Sequence, residues 1–399
     1  MFEATSRYII IAALTFLFAP ASLKAQDHSH DDQLESSTHE TSQLAPADEG
    51  HNEIHGQTVD EKEFEITELI MHHISDSHEW HFFDWNSGDK KLQKQPQPVS
   101  LPLPVIVYTK KNGFSLFSSG RFHHNDDGAV VHESSNGDRF IKVHDKIYLA
   151  EEESINNSYA HFSDSHEVTN TTPDADISIT KNVFNMFLGA MIMLLLFAGI
   201  IRRYKSQVPK GVAKFVEPLV VFVRDDIALQ NIGEKHYKRF TPYLLTVFFF
   251  IWINNVLGLI PGGANLTGNI SFTLTLSLLT FVIVNINGNK DYWRHIFWMP
   301  GVPYPVRVLM ALIEIVGVFT KPFALMIRLF ANMTAGHIVI LSLISLVFIF
   351  KTIWIAPASV ILTLFIYIIK VLVAFLQAYI FALLTALFIG QATQEHDHH

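Results

Sequence analysis

The stretch KPFALMIRLFANMTAGHIVI, Lys321 to Ile340, sets an arginine, Arg328, among leucines, isoleucines and phenylalanines. A guanidinium stays protonated under any condition a cell offers. An ionisable group in an apolar span costs several kcal/mol, faces protein or water, and marks an ion or proton path by default. At about 100° per residue on a helix, Glu314, Lys321 and Asn332 fall within about 40° of Arg328 on one side. By the same spacing Gly317, Ala324, Ala331 and Ala335 fall within about 60° of it on the other. A polar strip thus runs beside a strip of small residues, and small residues let a second helix approach closely. The chemistry this suits is the passage of a close partner by a fixed positive charge. The competing reading is a structural ion pair, Arg328 with Glu314 or with an aspartate elsewhere. Asn332 and Gln377 could serve as inter-helix hydrogen bonds. His337 suits proton relay, since histidine titrates near neutral pH, or a satisfied place in the core.

These residues need long apolar helices to position them, and the hydropathy supplies them. Val183 to Ile201 is the first clear span, followed directly by Arg202, Arg203, Lys205, Lys210 and Lys214; positive charge flanks the cytoplasmic side. GVAKFVEPLVVFVRDDIA reads as an interfacial amphipathic helix with Glu217, Arg224, Asp225 and Asp226 among its polar positions. Thr241 to Pro261 and Ile270 to Ile286 are the next two spans, and Lys290 and Arg294 follow the second. From Val302 to Gly390 two long helices of about 45 and 35 residues fit best, far more than the roughly 20 an upright span needs. They must tilt, kink or lie partly in the membrane plane, and Pro322 supplies a kink site. The fold class expected is an all-α membrane protein, with about three upright or interfacial helices plus two long tilted ones.

The N-terminal part differs in kind. Residues 1–25 carry Arg7, an apolar core and small residues ending at Ala25, a signal-peptide pattern with cleavage expected near Ala25. Residues 26–60 are His/Asp-rich without apolar periodicity and predict a disordered tail. The spacing of Phe64, Ile66, Ile70, Ile74 and Trp80 predicts a short amphipathic helix over residues 61–85. Over residues 86–175 the segments LPVIVYT, FSLFSS, RFIKV and KIYLA, separated by KKNG, HNDDG and SSNGD, predict a small exported β-hairpin module. Residues 176–395 form the membrane domain and 396–399 a short tail.

With these residues in place the chain resembles subunit a of the membrane sector of F-type ATP synthases, in a bacterial version with an enlarged exported N-terminal region. The match is carried by TKPFALMIRLFANMTAG, by INNVLGLIP, ANLTGNISFTLTLSLLTF, KGVAKFVEPLV and LQAYIFALLTALFIG in the family's order, and by Glu314 fourteen residues before the arginine. It covers roughly residues 64–85 and 175–395. The resemblance implies that Arg328 is the essential arginine between two aqueous half-channels, facing a ring of c subunits through Gly317, Ala324, Ala331 and Ala335. It implies that Asn332 and Gln377 lie beside the arginine, and that Glu314 and His337 line the half-channels. Lys370, seven residues before Gln377, departs from the family's His or Glu, and pairing with Glu314 across the helix interface is the expectation there. The implied partners are the c-subunit ring, the b-subunit peripheral stalk, the other ATP synthase subunits and the lipid membrane. The implied location is the cell inner membrane, with the N-terminal region in the periplasm and the C-terminus cytoplasmic.

The alternative is a metal-ion transporter or metal-binding membrane protein, because fifteen of the twenty-one histidines lie between residues 26 and 180 and imidazole with carboxylate suits zinc, copper or nickel. His72, His73, His78 and His81 form no clean three- or four-ligand pattern. No specific metal site is expected, and no cofactor. The absence of cysteine excludes a disulfide framework. The net charge of −9 comes mostly from the polar half and gives no reason to expect nucleic acid. There is no nucleophile elbow, phosphate loop or metalloprotease helix, so the chain alone should catalyse nothing.

Overall fold

The computed structural model describes residues 75–85, 97–151, 154, 158–163, 168–203, 211–260, 263–298, 303–350 and 355–394. The expected signal peptide, the tail of residues 26–60, His72 and His73 lie outside these residues.

The N-terminal module is built from short strands in three small sheets. β1 (Glu79–Trp85) pairs antiparallel with β2 (Gln97–Pro102), with an irregularity in register between His81 and Phe83. β3 (Pro104–Thr109) pairs with β4 (Gly113–Ser118) on one edge and β8 (Ala175–Asp176) on the other. β5 (His132–Glu133), β6 (Arg139–Val143) and β7 (Lys146–Leu149) form the third sheet. Alternation along β3 turns Val105 and Val107 inward, where they meet Phe122, Phe140 and Ile147. The amphipathic helix expected over residues 61–85 is corrected in its described part, because residues 79–85 are a strand. The spacing of Phe64 to Trp80 suits a helix face, but β2 offers this segment backbone partners that no local period reveals.

The module is fastened to the first long helix, α1 (Lys181–Arg203). Asp76 accepts hydrogen bonds from the Thr180 hydroxyl at 3.0 Å and the Asn182 N–H at 3.2 Å, and the Ser77 carbonyl accepts from the Lys181 N–H at 3.0 Å. The module thereby satisfies donors that a helix N-terminus leaves open. Trp80 meets Phe184 edge-on, ring centres 5.4 Å apart.

The remaining helices are α2 (Val212–Phe222), which continues through a π-helical turn at Val223–Leu229, α3 (Tyr237–Leu259), α4 (Ile270–Ile286), α5 (Lys290–Phe297), α6 (Tyr304–Phe350) and α7 (Ile355–Thr393). Among the described residues, four helices are long and apolar enough to cross a membrane, and a fifth if α4 and α5, bent by 104°, count as one. α3 is central, its Phe249 against Phe197 of α1 and its Phe248 against Phe375 of α7. Ala378, Ala382 and Ala386 of α7 are fully buried, so small side chains bring α7 close to its neighbours. At Gly390 a Cβ would lie 2.0 Å from the Asn231 carbonyl oxygen, an approach only glycine permits.

α6 runs unbroken through Pro322. At 1.5 Å per residue its 47 residues span roughly 70 Å, more than twice the roughly 30 Å hydrocarbon core. An upright orientation is excluded. Within their most apolar windows α3 is 72% buried, α6 only 11% and α7 only 17%. The two long helices therefore present most of their surface to something outside this chain.

Candidate functional site

Arg328 is half-buried on α6, and its guanidinium makes no hydrogen bond or ion pair with any described residue. The structural ion pair with Glu314 is not formed. Fourteen helical residues put the two roughly 21 Å apart along the axis, so they occupy different levels of the same helix. Beside Arg328, one turn on, Asn332 donates from Nδ2 to Oε1 of the buried Gln377 on α7 at 2.7 Å. Arginine, asparagine and glutamine thus form one level.

A second polar level lies toward the start of α6. The Glu314 carboxylate is within electrostatic reach of Tyr292 on α5. Lys321 donates to Gln391 at 3.2 Å and stands over the Phe388 ring at 5.3 Å. Asn285, Tyr292, Lys321 and Phe388 line a cavity there. The corner between α4 and α5 that brings Tyr292 in is tight, since a Cβ on Gly288 would come 2.7 Å from the Tyr292 ring. Asn289 holds this corner to the end of α7 through the Ala392 carbonyl at 2.8 Å and the Thr393 carbonyl at 2.7 Å.

The third level lies on the other side of Arg328, roughly 14 Å along α6. His337 places Nδ1 3.0 Å from the Met333 carbonyl and Nε2 3.0 Å from the Gly258 carbonyl at the end of α3. Both partners are acceptors, so only the doubly protonated ring donates to both at once. Tyr367 of α7 caps the same helix end, its hydroxyl 2.7 Å from the Leu259 carbonyl. Lys370 is buried and lies along Gly336, where a Cβ would sit 2.7 Å from its Cε and 3.3 Å from its Nζ. The expected Lys370–Glu314 pair is overturned. Lys370 packs at the level of Gly336, and twenty-two residues of helix, roughly 33 Å, separate that level from Glu314.

On the small-residue face Ala324, Ala331 and Ala335 are exposed and Gly317 is half-exposed, with nothing within 4 Å of where a Cβ would stand. No other part of the described chain covers this strip beside Arg328. Sequence reasoning missed Gly258, Gly336 and Tyr367; each acts by fitting against a side chain or helix end on another element. The run ANMTAGHI hints at Gly336 through its small residues, while nothing local marks Tyr367.

The family described as ATP synthase A chain matches residues 183–390, over half of the chain. The chain belongs to the ATP synthase subunit a family. It is similar to the ATP synthase subunit a of Chloroherpeton thalassium, 50% identical over 233 residues, which cover 56% of this chain and 69% of that one. The ATP synthase subunit a of Chlorobium phaeobacteroides (strain BS1) is 50% identical over 233 residues, 56% of this chain and 68% of that one. The ATP synthase subunit a 2 of Prosthecochloris aestuarii is 49% identical over 233 residues, 56% of this chain and 71% of that one. All ten residues that the resemblance names, from Glu314 to Gln377, lie within the part matched to the subunit a family. Residues 69–177 match a domain of unknown function instead, which takes in most of the stretch 64–85 assigned above to the subunit a resemblance. As a subunit a the chain is one component of the ATP synthase and no enzyme alone. Among the described residues no group of three His, Asp or Glu side chains could hold a metal ion, and the metal reading gains no support.

Proposed function

We propose that this subunit is the ion-translocating part of the stator, with Arg328 turned toward a rotating ring of c subunits. The observation that carries this reading is Arg328 itself, a permanent cation without a polar partner among the described residues, beside an uncovered strip of small residues. A carboxyl on each passing c subunit loses its proton beside Arg328, where a cation favours the anion. It must be neutral to turn into lipid, because an ionised carboxylate there is costly. The level of Glu314, Tyr292 and Lys321 serves one half-channel, and the level of His337 and Lys370 the other. Arg328, Asn332 and Gln377 separate them, so a proton crosses only by riding the ring. Ala324, Ala331, Ala335 and Gly317 give the ring its close approach.

The basic residues after α1 and after α4 support a cytoplasmic side for those ends, and on that reading the module and the Gly258 end of α3 face the periplasm across the inner membrane. The N-terminal segment acts as a signal peptide, and the C-terminus is cytoplasmic. The b-subunit stalk and the remaining subunits complete the stator. In vesicles holding the whole complex, a pH difference is expected to drive ATP synthesis in the wild type and to fail to do so in Arg328→Ala. Equal synthesis in the two would overturn this reading.

A further inference from the structure

The α5 helix leaves α4 at a bend of 104°, so where α4 crosses a membrane α5 lies close to the membrane plane. At about 100° per residue, Lys290, Trp293, Arg294 and Phe297 share a stripe of α5 roughly 100° wide, and all four are exposed. Tyr292 and Ile296 occupy the opposite side, Ile296 buried and Tyr292 lining the cavity beside Lys321. That side faces the protein and the stripe faces away from it. The rings of Trp293 and Phe297 stack, centres 6.0 Å apart and planes at 14°. Trp298, next along the chain, is half-exposed and carries the Arg307 guanidinium 4.6 Å from its ring centre. The one acid of α5, Asp291, is half-buried on the flank. An apolar run leads up to this corner, for Leu278, Val282 and Ile286 recur every four residues of α4 and are 45%, 40% and 77% exposed.

We propose that α5 and its corner seat an anionic phospholipid, with Lys290 and Arg294 on the phosphate and the acyl chains along the exposed side of α4. The residue types fit the two ends of such a lipid. Tryptophan sits at the headgroup level, its apolar body toward the chains and its N–H toward water, and Phe297 extends that apolar surface. Lysine and arginine lay their stems along apolar surface while the charged ends reach outward, and a guanidinium offers a phosphate two parallel donors. A zwitterionic lipid balances its phosphate with its own cation, whereas an anionic lipid leaves that charge to the protein. Basic residues on an interfacial helix therefore select the anionic one. The lipid braces the corner from outside while Tyr292 faces the cavity within. The seat requires a membrane-spanning α4 and nothing of Arg328, so it stands apart from the stator reading.

The chain has no cysteine, so one introduced cysteine, with any in the other subunits replaced, takes a fluorophore at a chosen place in the whole complex. Phe297→Cys and Ile286→Cys would each carry bimane in vesicles of equal parts phosphatidylcholine and phosphatidylglycerol, with one lipid or the other brominated on its chains. Brominated phosphatidylglycerol should quench about fivefold more than brominated phosphatidylcholine at both positions. With Lys290→Gln and Arg294→Gln added, and the whole complex still recovered, the two lipids should quench alike. Quenching by neither lipid would mean that another subunit covers this face. Equal quenching before the charges are removed would reduce it to ordinary lipid contact, and a preference surviving their removal would put the phosphate elsewhere. Each of these three results overturns the seat.

Discussion

Asn332 and Gln377 join α6 to α7 through a hydrogen bond of 2.7 Å, one helical turn from Arg328. Inter-helix hydrogen bonds in membranes contribute about 0.6 kcal/mol on average and about 1.7 at most. A double-mutant cycle on thermal stability of the complex, using Asn332→Leu and Gln377→Leu, should give a coupling of about that average. The double variant should be no less stable than Gln377→Leu alone, because it leaves no amide unpaired. Strictly additive losses would show that the pair does not hold the helices together.

Gly336 and Lys370 give a second test. A methyl at position 336 would stand 2.7 Å from Lys370 Cε, and the flexible lysine stem is what must give way. Alanine is otherwise the better helix former by about 1 kcal/mol. Gly336→Ala should therefore assemble normally yet lower proton pumping by roughly threefold, because the displaced ammonium leaves its level in the path. Pumping unchanged in both Gly336→Ala and Lys370→Met would take Lys370 out of the path.

Much of the membrane domain was legible in the sequence because the signal there is local. Runs such as LGAMIMLLLFAGII need only their own hydropathy to be read as a span, and Arg328 stands out because a charge there is costly. What stayed hidden depends on register between distant elements. Lys370 was matched with Glu314 on charge alone, whereas the antiparallel packing of α6 and α7 brings it to Gly336. His337 was legible as a titratable group, but its seat against the Gly258 carbonyl depends on where α3 ends. A helical period runs through residues 61–85, yet residues 79–85 form a strand because their partner, β2, lies outside that period.

The joint between module and membrane domain should depend on pH through Asp176. Burial works to raise its carboxyl, but hydrogen bonds from His78 and Ser178, with the charge of His78, outweigh it and hold the group well below the ordinary carboxylate range. His78 Nε2 lies 3.2 Å from Asp176 Oδ2, and its Nδ1 lies 2.8 Å from the Asp145 carbonyl. A carboxyl depressed in the folded state stabilises above its unfolded value, near 3.8, and loses that contribution as pH falls through the folded value. Thermal melting of the complex should show Asp176→Asn less stable than wild type at about pH 5, with the margin narrowing below about pH 4. A margin that widens on acidification would contradict this.

The central claim is that Arg328 separates two half-channels, and passive proton conductance tests it most directly. Vesicles carrying the membrane sector stripped of its catalytic part would be compared for wild type and Arg328→Ala, beside ATP synthesis by the intact complexes. Loss of synthesis with proton conductance retained is the predicted result, since removing the cation uncouples the two levels without closing either. Synthesis at the wild-type rate in Arg328→Ala would contradict the account and leave Arg328 a structural residue.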